Sequence, residues 1–106
     1  MARRPQALKS LVVTGAGPVD QVIKATPGIL YGFNIQWSGG NVGDVIHIHD
    51  TPTADATATK RFTFQFPTTA GSFSAQIGSV GIEYFTGLWL NFQVAGPNVN
   101  LTITFD

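Results

Sequence analysis

Hydrophobic and polar residues alternate with a period of two along most of this 106-residue chain, and that period predicts strands. In "ILYGFNIQW", Ile29, Tyr31, Phe33, Ile35 and Trp37 share one phase, and Leu30, Gly32, Asn34 and Gln36 share the other. "RFTFQF" repeats the rule with Phe62, Phe64 and Phe66, and "VNLTITF" with Val99, Leu101, Ile103 and Phe105. "LWLNFQV" sets Leu88, Leu90, Phe92 and Val94 against Trp89, Asn91 and Gln93. No window carries a helical stripe.

Turn residues fall between these runs, in "GAGP", "TPG", "SGGNVG", "TPTADA", "PTTAGS", "GSVG" and "AGPN". They divide the chain into about eight strands, near 9–14, 19–26, 29–37, 44–50, 58–66, 72–77, 82–94 and 99–105, with Gly87 as the point where the 82–94 run would break. Short strands at that spacing predict an all-β fold: a single antiparallel β-sandwich, jelly-roll-like, with an immunoglobulin-like strand order as the other arrangement. A chain of this length holds one domain.

Composition narrows the chemistry. There is no cysteine, so disulfides, thiol nucleophiles and cysteine-bound zinc are excluded. No apolar run approaches the roughly 20 residues of a membrane-spanning helix, and "MARRPQALKS" lacks the apolar stretch of a secretory signal; a soluble chain made in the cytoplasm is expected. Charged residues are 11% of the chain, and Thr, Ser, Asn, Gln and Gly take their place on the surface. Such a surface resists association poorly and suits a subunit packed among neighbours.

Net charge is zero but unevenly spread. Arg3, Arg4 and Lys9 precede residue 10, and from there on Lys24, Lys60 and Arg61 stand against Asp20, Asp44, Asp50, Asp55, Glu83 and Asp106. Three cations against six anions leave a mildly acidic body behind a basic arm. Residues 1–9 are therefore expected to be a loosely held arm, and 10–106 the sandwich domain.

The stretch "GDVIHIHD" is the clearest candidate for chemistry. On a strand, His47 and His49 are neighbours on one face, roughly 6–7 Å apart at Cα, which is a spacing that can chelate a metal. A third protein ligand would have to come from Asp55, Glu83 or another strand, as in a small cupin-like metalloprotein. The expected reading is structural, with both imidazoles facing solvent or an interface, and exchange of both for Asn costing no more than about 1 kcal/mol. Trp89 lies on the polar phase of its strand, facing either a sugar or nucleobase or, as the composition favours, a subunit interface. No "GxSxG" elbow, phosphate loop or carboxylate pair is present, and no catalytic residue or cofactor is expected.

"VIKATPGILYGFNIQW", "VIHIHDTPTA" and "NVNLTITF" together resemble the small β-sandwich virion proteins of tailed bacteriophages, of the capsid decoration or cement type. The matching positions are Lys24, Ala25, Pro27, Gly28, Leu30 and Gly32, then Asp50 and Ala54, then Leu101, Ile103 and Phe105. His47 and His49 depart from that pattern. The resemblance implies a non-enzymatic subunit that binds the major capsid protein on the virion surface, assembled as a homo-oligomer, with a trimer as the family-level expectation. A carbohydrate-binding or fibre-associated module using Trp89 is the alternative. Arg3, Arg4, Lys9 and Trp89 are the expected interface residues. Neither membrane nor nucleic acid is an expected partner, two arginines being a weak footprint for the latter. In the motif itself, Pro27 and Gly28 predict a tight turn using glycine's positive φ, Gly32 a close approach, and Asp50 a bond to the backbone two residues on.

Overall fold

The computed structural model describes residues 9–16, 19–77, 80–92 and 98–106. Nine strands occupy them: β1 (Lys9–Ala16), β2 (Val19–Lys24), β3 (Gly28–Ser38), β4 (Val45–Asp50), β5 (Lys60–Gln65), β6 (Ala70–Gln76), β7 (Ile82–Tyr84), β8 (Leu88–Phe92) and β9 (Asn98–Phe105). Among the described residues, no helix is long and apolar enough to cross a membrane. The long run expected at 82–94 is broken before Leu88, with β7 and β8 on its two sides.

The strands form two antiparallel sheets. Sheet A has the order β1-β9-β3-β6, with β7 continuing the β6 side of β3, and sheet B has the order β2-β8-β4-β5. The chain changes sheet at almost every connection, and this interleaved order is that of a jelly roll, not of an immunoglobulin domain. The inner faces carry the alternation read from the sequence: Phe33, Ile35, Trp37, Leu101 and Ile103 from sheet A meet Ile46, Ile48, Phe64, Leu88, Leu90 and Phe92 from sheet B. The rings make a continuous layer, with Phe33 against Phe62 at 4.6 Å, Trp37 on Phe66 at 5.0 Å and Phe66 against Phe92 at 5.6 Å between centroids.

Three register shifts bend the pattern. The shift between Leu30 and Gly32 makes Tyr31 the extra residue, so Leu30 turns into the core and the expected inward phase holds only from Phe33 onward. A second lies between Val22 and Lys24. The third lies between Ile48 and His49: their partners are Phe62 and Lys60, which leaves Arg61 as the extra residue.

The turn chemistry differs from expectation at Gly28. This residue has no positive φ; it is the first residue of β3, where a Cβ would collide with the backbone oxygen of Asp106, so glycine serves close packing there. Gly32 needs no such allowance, since a Cβ would meet Thr104 at an ordinary 3.5 Å. Positive φ is used instead in the β3–β4 turn, at Gly43 (97°).

Candidate functional site: the outer face of the histidine strand

β4 lies inside sheet B between β8 and β5, so its outward face is flanked on both sides. Register places His47 beside Asn91 and Thr63, and His49 beside Trp89. On the far side of β8, Asp20 pairs with Asn91 and Val22 with Trp89. The outer face therefore collects two histidines, a tryptophan, an asparagine and an aspartate.

The β4–β5 loop covers part of this face. Asp55 Oδ1 accepts from the Thr57 backbone N–H (3.0 Å) and hydroxyl (2.6 Å), and the Ala58 N–H donates to the Asp55 carbonyl at 3.0 Å. The two Thr57 bonds, the hydroxyl first, hold the Asp55 carboxyl below its ordinary range. Thr51 donates to the Thr53 carbonyl at 2.9 Å. The folded loop brings the Ala58 carbonyl within 3.0 Å of His49 Nδ1.

His49 is fully buried, which corrects the expectation of two exposed imidazoles. A carbonyl only accepts, so Nδ1 carries the proton, and Nε2 accepts from Asn91 Nδ2 at 3.3 Å. Both ring nitrogens are thus engaged. His47 is half-buried and bonds Thr63 Oγ1 through Nδ1 at 3.0 Å. The His47 pKa is lowered by partial burial, then by Lys60 and His49. Because the folded pKa lies below the ordinary one, this contribution to stability is present above about pH 6.5 and is lost as pH falls through the folded value.

The two rings lie edge to face at 5.6 Å. The third ligands considered from sequence do not join them: Asp55 is occupied by Thr57, and Glu83 sits on β7 in the other sheet. Among the described residues, no group of three or more His, Asp or Glu side chains is placed to hold a metal ion.

Trp89 is 3% exposed, so it is not the open platform or interface anchor that its phase implied. Its ring packs on His49 at 4.8 Å, and its indole N–H donates to Asp20 Oδ1. Lys9 is the first residue of β1, paired with Phe105, and so belongs to the sandwich and not to the arm. Arg3 and Arg4 lie outside the described residues.

Asp50 does something the sequence did not indicate. It does not close its own loop; its carboxylate reaches the β7–β8 turn 35 residues on, accepting from the N–H groups of Phe85 (3.0 Å), Thr86 (2.8 Å) and Gly87 (3.4 Å) and from the Thr86 hydroxyl (2.9 Å). The bulge at Arg61 places that guanidinium 3.4 Å from Asp50 Oδ2 and 4.9 Å over the Phe85 ring. Burial by itself would raise the Asp50 pKa, but the four donors outweigh it and the net shift is downward. Below Asp50, the buried Tyr84 hydroxyl donates to the Ile48 carbonyl at 3.3 Å and joins the two sheets. Its pKa is pushed well above the usual tyrosine range, by burial first and the Asp50 charge second.

The pair of histidines should therefore separate in mutagenesis. His49→Asn is expected to cost about 2 kcal/mol, because it empties volume under Trp89 and strands the Ala58 carbonyl. His47→Asn is expected to stay within about 1 kcal/mol. Urea unfolding of both variants checks this; equal costs would show that the loop does not seal His49.

No protein-family model and no curated protein matches the chain. Among solved structures, the crystal structure of the SPBc2 prophage-derived protein YomS is similar over 99% of this chain and 100% of its own, with TM-score 0.39 and 11% identity. The subunit of the disulfide-linked pili that form Bacillus endospore appendages is similar over 99% of this chain and 95% of its own, with TM-score 0.33 and 14% identity.

Proposed function

We propose that this chain is a non-enzymatic structural subunit of a tailed-bacteriophage virion, a decoration or cement protein bound to the major capsid protein on the head surface. The observation that carries this reading is where the reactive side chains go. His49, Trp89, Asp20, Asn91 and Asp50 are bonded to one another or to the backbone, and their work is to tie the strands of sheet B together and its loops onto them. Along β3, β6 and β9 the outer face of sheet A presents Asn34, Gln36, Ser38, Ser72, Ser74, Asn98 and Asn100, a strip of uncharged and strongly hydrogen-bonding side chains suited to lie against protein. The sequence resemblance at Lys24–Gly32, Asp50–Ala54 and Leu101–Phe105 supports the shell as that protein.

Two measurements test the reading. Mass spectrometry of intact virions should find the chain in the hundreds of copies that a decorated shell implies, and purified protein should co-sediment with undecorated shells. In the full chain, Arg3→Ala/Arg4→Ala should lower shell occupancy about threefold at low salt, with a smaller loss at high salt, because exposed ion pairs contribute only about 0.2–1 kcal/mol each and are screened. A handful of copies per particle, or no binding to shells, would overturn the assignment.

A further inference from the structure

The two sheets treat their edges differently. Edge strands invite pairing with another chain, and proteins ordinarily guard them with charge, proline or bulges. Sheet B is guarded at both edges: β2 carries Asp20 and Lys24 and a register shift, and β5 carries Lys60, Arg61 and the bulge at Arg61. Sheet A is not. β1 reads "KSLVVTGA" and β6 reads "AGSFSAQ", with Lys9 as the one charge between them and no proline. Val12, 60% exposed, and Phe73, 39% exposed, stand on these two edges.

We propose that the β1 edge of one copy pairs with the β6–β7 edge of the next, antiparallel and in register, so that sheet A runs unbroken through a homo-oligomer.

Strand direction permits it. Each neighbour in β1-β9-β3-β6 is antiparallel, so β1 and β6 run in opposite senses, and a copy shifted sideways presents its β1 antiparallel to β6. Hydrogen-bond parity permits it as well. The Ile77 N–H bonds the Tyr31 carbonyl, so the odd residues of β6 turn their backbone groups toward β3, and Ser72, Ser74 and Gln76 turn theirs outward. Asp106 and Ile29 exchange two bonds, so the even residues of β9 face β3 and its odd residues face β1. Ser10, Val12 and Thr14 of β1 then turn their groups outward.

Rows across the sheet fix the register. Thr14, Asn100, Gln36 and Ser72 form one row, and Val12, Thr102, Asn34 and Ser74 the next. Continuing the rows into a second copy sets Thr14 opposite Ser72, Val12 opposite Ser74 and Ser10 opposite Gln76. Every one of these pairs joins two outward-turned backbones. Phe73 then lies diagonal to Leu11 of the neighbour, which covers an exposed ring with an apolar side chain.

Charge does not oppose the same register. Lys9 and Glu83 are the two charged residues on the strands of sheet A, and they have opposite sign. Lys9 shares a row with Phe105, Leu30 and Ile82, and Glu83 follows Ile82 directly. One row apart, the two side chains take opposite faces of the sheet, so this pairing makes no ion pair of them and sets no like charges against each other. The contact uses different surfaces on its two partners, so it closes into a ring if the rotation per copy permits and otherwise grows as a filament.

The inference stands on the edges of sheet A and not on the shell reading; a monomer that decorates shells would overturn only this inference, and an assembly that ignores shells only that one. Sedimentation velocity of the full chain at micromolar concentration should show a species larger than monomer. Ser74→Pro removes an N–H that faces away from β3, a place where an edge strand tolerates proline, and should give a folded monomer with at least tenfold weaker association. Thr14→Glu with Ser72→Glu sets like charges opposite each other on the outer face and should weaken association about threefold, and Thr14→Lys with Ser72→Glu should restore it. A monomeric parent, or a folded Ser74→Pro protein that assembles like the parent, overturns the proposal. If Ser74→Pro does not fold, the Thr14 and Ser72 pairs decide: forms that associate as the parent does overturn it, and loss followed by restoration supports it.

Discussion

Replacement of Asp50 by alanine is expected to lower folding stability by about 3 kcal/mol, although this residue sits at the end of a strand and touches no ligand. Its side chain is 6% exposed and accepts from three backbone N–H groups and one hydroxyl in the β7–β8 turn. Removing the carboxylate leaves those donors without their acceptor, and each such loss costs about 1–3 kcal/mol before any water replaces it. Asp50→Asn keeps one oxygen and should fall between alanine and the parent. The pH dependence has a definite sign. The folded pKa is depressed, so the unfolded chain takes up the proton first, and this stabilisation is present above about pH 4 and is lost as pH falls through the folded value. Urea unfolding between pH 7 and pH 3 should therefore show the parent losing its advantage over Asp50→Ala as acid is added. A difference that stays constant across that range would mean that the clamp does not depend on the carboxylate charge.

The second large effect is expected at Trp89, where alanine should cost about 3 kcal/mol. Read as an exposed strand position, the same change would be nearly neutral. The ring roofs His49 and its indole N–H is held by Asp20, so truncation opens a cavity on the outer face and leaves the imidazole exposed on one side. Asp20→Asn should cost less than Trp89→Ala, because an amide oxygen still accepts the indole proton. A double-mutant cycle of Trp89→Ala with His49→Asn should show coupling of about 1 kcal/mol, since the two rings share one packed site. Additive costs would show that the two residues stabilise the sheet independently.

Both effects concern residues whose role the one-dimensional pattern concealed. Trp89 alternates with Leu88 and Leu90, and that phase correctly places it on the outer face of β8. A phase says which face a side chain takes, but not whether anything covers that face. Here the neighbours β2 and β4 and the folded 51–59 loop supply the cover, and β8 is buried on both sides. Asp50 carried a local signal, an aspartate before "TP", and that signal pointed to its own loop. The partner that prevailed is a turn whose N–H groups converge on a single point, which no local rule encodes.

Alternation along "RFTFQF", "VNLTITF" and "LWLNFQV", with turn residues between the runs, determined by itself that this chain makes short strands, that Phe64, Phe66, Leu101 and Ile103 face inward, and that two sheets must pack on each other. Period-two hydrophobicity is a local property, and burial of the apolar phase is the dominant favourable energy. Tertiary structure alone decided the strand order, the bulges that turn Leu30 inward and aim Arg61 at Asp50, the covering of His49 and Trp89, and the gathering of charge onto sheet B. Each of these depends on which strands become neighbours across long stretches of chain. Pairing is settled by backbone hydrogen bonds that every residue offers alike, so only the assembled sheets discriminate among the possible partners.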